Sequence, residues 1–185
     1  MLCKIKKQIN HLVTQRIVTI KKNQSLIIIT MYKILFVCIH NSARSQMAEA
    51  FLNHYGKEEF EAESAGIEKG KLNPFVVEAM QEVGIDISKN QTKEVFDLFK
   101  KGKSYQGVVT VCEKEAAERC PIFPGTVRRM EWSFPDPSKF KGSHEEILTQ
   151  VRKIREEIKE KVIQFINEAS KFPYWIQNKR ETSKA

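Results

Sequence analysis

Along most of the chain, short apolar runs typical of strands alternate with segments whose apolar residues have helical spacing. Runs rich in β-forming residues predict four strands, at 34–37, 60–65, 105–111 and 127–132. Apolar residues at helical spacing, or runs of strong helix formers, predict helices at 45–55, 74–83, 94–99, 113–119 and 144–170. Because strands alternate with helices, the pattern predicts an α/β domain with a four-stranded parallel sheet flanked by helices on both faces.

The first 30 residues depart from this pattern. Their periodicity is weak, and they hold six of the 31 basic residues and none of the 23 acidic residues. We interpret 1–30 as a dispensable basic extension, 31–172 as a single catalytic domain and 173–185 as a polar tail. A basic helix that contacts nucleic acid or an anionic membrane surface is the alternative for 1–30.

Charge and hydropathy exclude several classes of protein. Of the net charge of +8, only +2 lies outside 1–30, so the predicted domain is nearly neutral and we expect no nucleic-acid partner. The apolar stretch 26–39 is interrupted by Lys33 and is shorter than the ~20 residues of a membrane span. With no convincing secretory signal, we expect a cytoplasmic protein that does not bind membranes.

The chain has four cysteines, Cys3, Cys38, Cys112 and Cys120, and no C-x2-C pair of the kind found in structural zinc sites. Cysteines of a cytoplasmic protein are more often redox-active than structural. We therefore expect redox-active cysteines, with no bound metal and no cofactor.

Cys38 and Arg44 carry the strongest chemical signal in the sequence. A strand delivers Cys38 into a short loop, Ile39, His40, Asn41, Ser42 and Ala43, which runs through Arg44 and Ser45 into a helix. Backbone N–H groups and the helix dipole in such a loop bind a tetrahedral oxyanion, and Arg44 adds a bidentate clamp. The same positive field favours a nucleophilic thiolate. The alternative is a buried cysteine that acts only as a small hydrophobic residue.

Cys112 and Asp136 follow the predicted ends of two other strands. In open α/β sheets, ligands bind beyond the carboxyl ends of the strands, so these residues converge with Cys38 at one edge. Asp136, between two prolines, is placed to act as a general acid, although a simple turn aspartate explains Pro-Asp-Pro equally well.

Cys112 and Cys120 raise a separate question. If 112–120 is helical, about 12 Å separates the two residues, beyond the roughly 7 Å limit between Cα atoms for a disulfide. A disulfide between them would therefore require the helix to unwind.

The loop CIHNSARSQMAEAF resembles the nucleophile loop of the low-molecular-weight tyrosine phosphatase superfamily. Residues 31–170 as a whole resemble the thioredoxin-coupled arsenate reductases, which share that flavodoxin-like fold. The shared motifs are C-x5-R-S at 38–45, SAG at 64–66, VVTVC...CP at 108–121 and WSFPDP at 132–137.

The resemblance implies a relay of three cysteines. Cys38 attacks arsenate, with Ser45 stabilising its thiolate and Asp136 protonating the departing hydroxide. Cys112 then attacks Cys38 and releases arsenite, and Cys120 attacks Cys112. Thioredoxin reduces the resulting Cys112–Cys120 disulfide.

Two positions depart from relatives. Many carry Thr-Gly where this chain has Ile39-His40, and we expect His40 to face solvent. Some relatives bind potassium through residues matching Asn41, Glu49 and Ser64, with an aspartate where Lys93 stands here. We expect the Lys93 ammonium to replace the ion, which removes any potassium requirement.

A protein tyrosine phosphatase is the alternative function, since it needs only Cys38, Arg44 and Asp136. Phosphatases usually carry an aromatic pair after Asp-Pro, whereas this chain has Ser138 and Lys139. We predict an arsenate reductase with residual activity on phosphate monoesters, acting as a monomer. A nucleic-acid-binding protein that uses the basic extension is a third interpretation, disfavoured by the nearly neutral domain.

Overall fold

The computed structural model describes the backbone of residues 18–22, 25–29, 31–112, 118–126 and 128–170. Strand β1 (Val18–Lys22) pairs antiparallel with β2 (Ser25–Ile29) in a two-stranded sheet. The hydrophobic pattern predicts no strand within 1–30, yet both segments are rich in the β-branched residues that favour strands.

The predicted domain begins immediately afterwards. Its strands are β3 (Tyr32–Cys38), β4 (Phe60–Gly66), β5 (Gly107–Thr110) and β6 (Arg128–Glu131). Its helices are α1 (Arg44–Tyr55), α2 (Pro74–Glu82), α3 (Val95–Lys100) and α4 (His144–Ser170), with a 3-10 turn at Pro137–Lys139. Of the helix predicted at 113–119, residues 113–117 lie outside the described residues, and Glu118 and Arg119 are helical.

The four domain strands form one parallel sheet in the order β4-β3-β5-β6. This confirms the predicted sheet. In the central strand β3, the four consecutive residues Ile34–Val37 are fully buried. Because successive side chains of a strand point to opposite faces, both faces of the sheet are covered.

The boundaries of the helices follow from specific sequence signals. The Asn73 side chain accepts a hydrogen bond of 3.0 Å from the Phe75 N–H, and Pro74 occupies the first helical position of α2. Gly56 ends α1 by donating its N–H to the Leu52 carbonyl at 2.8 Å. Helix α4 packs against α1 and α2 and buries an apolar stripe that includes Val151, Ile158 and Val162.

None of the helices in the described part of the chain is long and apolar enough to cross a membrane.

Candidate active site

Cys38 is the last residue of β3 and lies at the start of the loop that precedes α1. The side chain is buried, with its Sγ 2.9 Å from the Ser45 Oγ. The backbone N–H of Asn41 donates to the same sulfur at 3.1 Å. Hydrogen bonds from a hydroxyl and a backbone N–H stabilise negative charge on sulfur, so the loop suits a thiolate nucleophile.

Asn41 organises this loop. It is fully buried and has a φ of 52°, in the left-handed region that asparagine tolerates better than most residues. Its Nδ2 donates to the Ser45 Oγ at 2.9 Å and to the Ser64 Oγ at 2.8 Å. Because Ser45 accepts from Asn41, its own hydroxyl proton is available for Cys38.

Gly66 allows the loop to lie close to the end of β4. A Cβ at this position would lie 2.7 Å from the Asn41 backbone nitrogen and 2.4 Å from the Glu68 carbonyl oxygen. The glycine of the Ser-Ala-Gly motif is therefore required by close packing of the backbone.

Arg44 and Asp136 form an ion pair beside Cys38. The Arg44 Nη2 lies 2.9 Å from the Asp136 Oδ2, and its Nη1 donates to the Phe134 carbonyl at 3.1 Å. The Asp136 carboxylate also accepts hydrogen bonds from the backbone and hydroxyl of Ser138, at 3.0 and 2.9 Å. Asp136 therefore caps the 3-10 turn and is also paired with the arginine of the loop.

The charge state of Asp136 reflects these contacts. Burial opposes its ionisation, but the Ser138 hydrogen bonds and the Arg44 guanidinium outweigh burial and hold the pKa of Asp136 below its usual value. The carboxyl is consequently ionised at neutral pH while it is paired with Arg44.

Cys112 follows β5 and faces the same loop. Burial, followed by the nearby Cys38, raises the pKa of Cys112 to about 12, while Arg44 and a hydrogen bond from the Ile39 backbone oppose the shift. Strand β5 pairs in parallel with β3 up to Val37 and Thr110, so Cys112 lies at the same end of the sheet as Cys38. Cys112 is a neutral thiol at physiological pH.

Cys120 lies beside a cavity lined by residues of β5 and β6. It is buried, and burial raises the pKa of its thiol while Arg129 opposes the shift. This β5–β6 cavity has a volume of about 590 Å³, and the residues that line it with Cys120 include Thr110, Arg129 and Glu131. Cys38, Cys112 and Cys120 are all free thiols. The structure thus places Cys38 and Cys112 at the same end of the sheet and Cys120 beside the β5–β6 cavity.

The other loop residues have different surroundings. Ile39 is partly buried and Ala43 is buried, while the Ser42 carbonyl accepts a hydrogen bond of 2.9 Å from the Asn73 N–H. His40 is exposed, as expected, with its Nδ1 4.0 Å from a Glu68 carboxylate oxygen.

Lys93 lies behind the loop. Its Nζ is 3.8 Å from the Glu49 Oε1, and its backbone N–H donates to the Asn41 Oδ1 at 2.8 Å. The Lys93 ammonium thus lies beside Glu49, where we expect it to take the place of a potassium ion. Among the residues that the structure describes, no cluster of three or more His, Cys, Asp or Glu side chains could hold a metal.

Two further polar residues belong to these surroundings without any signal in the sequence. Glu63 pairs with Lys93 at 3.6 Å, and the Tyr105 hydroxyl donates to Glu63 at 2.6 Å. Glu63 is one of two glutamates in the alternating strand β4, so only the three-dimensional arrangement identifies it.

Comparison with known proteins agrees with this geometry. The model of the low molecular weight phosphotyrosine protein phosphatase family matches residues 33–172. An arsenate reductase of Shouchella clausii is 45% identical over 134 residues, which cover 71% of this chain and 93% of the relative. A solved arsenate reductase in its phosphate-binding state has a TM-score of 0.60 at 29% identity, over 75% of this chain and 98% of that one.

A solved thioredoxin-dependent arsenate reductase of Corynebacterium glutamicum has a TM-score of 0.50 at 26% identity, over 73% of this chain and 63% of that one. The family match covers most of the chain and includes the loop, Cys112, Cys120 and Asp136. The predicted fold and family resemblance are confirmed. The protein belongs to the low-molecular-weight phosphotyrosine protein phosphatase family.

Proposed function

We propose that this protein reduces arsenate to arsenite through Cys38, Cys112 and Cys120, and that thioredoxin regenerates it. The observation that carries the proposal is the second thiol, Cys112, which follows β5 directly beside the end of β3, where Cys38 lies. A phosphatase has no use for that thiol. Arsenate reductases among the similar proteins support this choice of substrate.

The first step is nucleophilic attack on arsenic. The Cys38 thiolate, stabilised by Ser45, attacks arsenate held by the loop N–H groups and Arg44. A sulfur–arsenic bond forms and an arsenic–oxygen bond breaks. Asp136 supplies the proton that turns the departing hydroxide into water.

Binding of the anion prepares Asp136 for this role. The oxyanion and the Asp136 carboxylate compete for the Arg44 guanidinium, which weakens the ion pair seen at 2.9 Å. Added negative charge nearby also favours the protonated carboxyl, so substrate binding raises the pKa of Asp136 from its lowered value.

In the next step Cys112 attacks the Cys38 sulfur and forms a disulfide with it. The Cys112 thiol gives up its proton to an oxygen of the departing arsenite, the sulfur–arsenic bond breaks, and its electron pair remains on arsenic, which leaves as arsenite. Cys120 then attacks Cys112, which releases the Cys38 thiolate and forms a Cys112–Cys120 disulfide. The thioredoxin dithiol reduces that disulfide and becomes oxidised.

The last disulfide sets a geometric requirement for this relay. The Cα atoms of Cys112 and Cys120 must come within roughly 7 Å of each other before their sulfurs can bond.

Hydrolysis of phosphate monoesters is the second candidate function. Arg44, Asp136 and the Cys38 loop form a complete set for that reaction, and the family includes phosphotyrosine phosphatases. Ser138 and Lys139 stand where phosphatases usually carry an aromatic pair, so we expect slow hydrolysis of aryl phosphates.

We further infer that the enzyme acts as a cytoplasmic monomer without a nucleic-acid partner. Thioredoxin is its reductant. The nearly neutral charge of residues 31–185 supports the exclusion of nucleic acid.

The decisive experiment measures NADPH consumption with arsenate, thioredoxin and thioredoxin reductase, beside hydrolysis of an aryl phosphate. The Cys120→Ser variant is expected to lose arsenate turnover and keep aryl phosphate hydrolysis. Absence of arsenate turnover in the wild type, with brisk hydrolysis that Cys120→Ser leaves unchanged, would instead make the protein a phosphatase.

A further inference from the structure

A continuous set of polar contacts leads from the nucleophile into the protein. Ser45 lies 2.9 Å from the Cys38 sulfur, and Asn41 donates both amide hydrogens, to Ser45 and to Ser64. Since Ser64 accepts from Asn41, it donates its own proton to the Glu49 carboxylate. The directions of the hydrogen bonds that join Asn41 to Ser45, Asn41 to Ser64 and Ser64 to Glu49 are therefore defined, and the contacts end at a carboxylate.

Lys93 connects Glu49 to a second carboxylate, that of Glu63. Its Nζ lies between two carboxylates, 3.8 Å from Glu49 and 3.6 Å from Glu63. Glu63 is held in turn by the Tyr105 hydroxyl at 2.6 Å and by the Lys103 Nζ at 3.5 Å. Tyr105 is thus connected to Cys38 through a series of named side-chain contacts.

The Tyr105 side chain is itself well fixed. Its ring is buried and meets the ring of Phe123 edge-on, with centroids 5.1 Å apart. This packing fixes the direction of the hydroxyl, so the Glu63 carboxylate has a preorganised donor.

We propose that Tyr105 and Glu63 are positioning residues for the Cys38 nucleophile. They hold the Lys93 ammonium against Glu49 and so keep the Ser64, Asn41 and Ser45 hydrogen bonds aimed at the sulfur. The proposal deepens the proposed function and rests on it for the role of Cys38 as nucleophile.

Exposure explains why a second carboxylate is needed. The Lys93 side chain is 33% exposed, whereas that of Glu49 is 19% exposed. Without Glu63, the flexible ammonium gains hydration by moving into solvent, and Glu49 loses its counter-charge. Ser64 then loses a charged acceptor, and Asn41 is less firmly held.

The test is a double-mutant cycle on the alkylation rate of Cys38 by iodoacetamide. Site-resolved mass spectrometry follows Cys38 at about pH 6, where the supply of thiolate limits the reaction of an ordinary cysteine. Loss of a hydrogen bond of typical net strength changes a rate about three- to tenfold. Tyr105→Phe and Glu63→Gln are each expected to slow alkylation by about threefold or more.

Repeating the Tyr105→Phe substitution in a Lys93→Met protein shows whether Tyr105 acts through Lys93 or through a general effect on the structure. In the Lys93→Met protein, adding Tyr105→Phe is expected to cause no further slowing of alkylation, because the ammonium that connects Glu63 to Glu49 is already absent. Equal slowing in both backgrounds, or no slowing by Tyr105→Phe in the wild type, would overturn the proposal.

Two control variants carry the same substitutions at residues outside this set of contacts. Glu61→Gln removes the same charge from the same strand at an exposed residue paired with Lys33 at 3.9 Å, and Tyr55→Phe removes an exposed phenol from α1. Both are expected to leave the rate unchanged, and thermal melts of every variant verify folding. Alkylation requires no arsenate, so coupling between Tyr105 and Lys93 supports the positioning role even if arsenate turnover fails.

Discussion

Arg44 and Asp136 are joined by an ion pair with 2.9 Å between Nη2 and Oδ2, so the arginine proposed to bind the anion is paired with the proposed general acid. In the proposed mechanism, a substrate anion displaces the carboxylate from the guanidinium, and the displaced carboxylate then takes up a proton.

Asp136→Asn is expected to lower turnover of both arsenate and aryl phosphate by about 100-fold, because no group then protonates the leaving oxygen. Phosphate affinity is expected to be maintained or increased, since Arg44 loses a competing anion. Steady-state kinetics and calorimetric titration with phosphate measure the two effects. Unchanged turnover would show that Asp136 only caps the 3-10 turn.

The three described thiols are expected to differ in reactivity. Burial and the nearby Cys38 raise the pKa of Cys112 to about 12, so at pH 7 to 8 it remains a thiol. A raised pKa means that the reactive thiolate accumulates only at alkaline pH. Iodoacetamide should therefore modify Cys38 before Cys112, as followed by site-resolved mass spectrometry. Faster modification of Cys112 than of Cys38 at neutral pH would contradict the assignment.

The position of Lys93 predicts how the activity responds to monovalent cations. Because its ammonium lies 3.8 Å from Glu49, activity should be the same in potassium and sodium chloride at equal ionic strength. Lys93→Met should lower activity in both salts, since Glu49 then lacks a counter-charge. A strong rise of wild-type activity in potassium would refute this prediction.

The N-terminus of α4 offers a test of stability away from the active site. Ser143 and Glu146 form a reciprocal capping box, in which the Ser143 N–H donates to the Glu146 carboxylate at 2.7 Å. Ser143→Ala should lower the free energy of unfolding by ~1 kcal/mol without changing kcat. Urea denaturation measures the loss, and Ser104→Ala, at an exposed position, serves as the control.

Residues 1–30 are expected to be dispensable. A protein that starts at Met31 should keep the thermal stability and arsenate turnover of the full chain, because β3 begins at Tyr32 and the central sheet contains no strand from β1 or β2. Loss of folding or of turnover on truncation would assign a function to the hairpin.

Much of the fold is predictable from local patterns. The run Ile34–Val37 is continuous because a central parallel strand is buried on both faces, and Asn73-Pro74 marks a helix start through capping chemistry. The order of strands is a different matter. It depends on which apolar faces pack together, and no single segment encodes it.

The active site divides in the same way. Cys38, Arg44 and Ser45 are close in sequence, so a strand followed by a helix suffices to place them around one loop. The contacts of Glu63, Lys93 and Tyr105 join distant segments, and their charges resemble any solvated surface until the chain is folded.

Within the predicted domain, the sequence by itself determined the element types, the nucleophile loop, the family and the shared sheet edge of Cys38 and Cys112, because these rest on periodicity, short motifs and the ends of parallel strands. Only the tertiary structure decided that Asp136 pairs with Arg44, that Cys120 lies beside the β5–β6 cavity, and that Tyr105 is linked to the nucleophile through polar contacts. The physical reason is that ion pairs, burial and hydrogen-bond direction depend on distances between segments, which are established when the core packs.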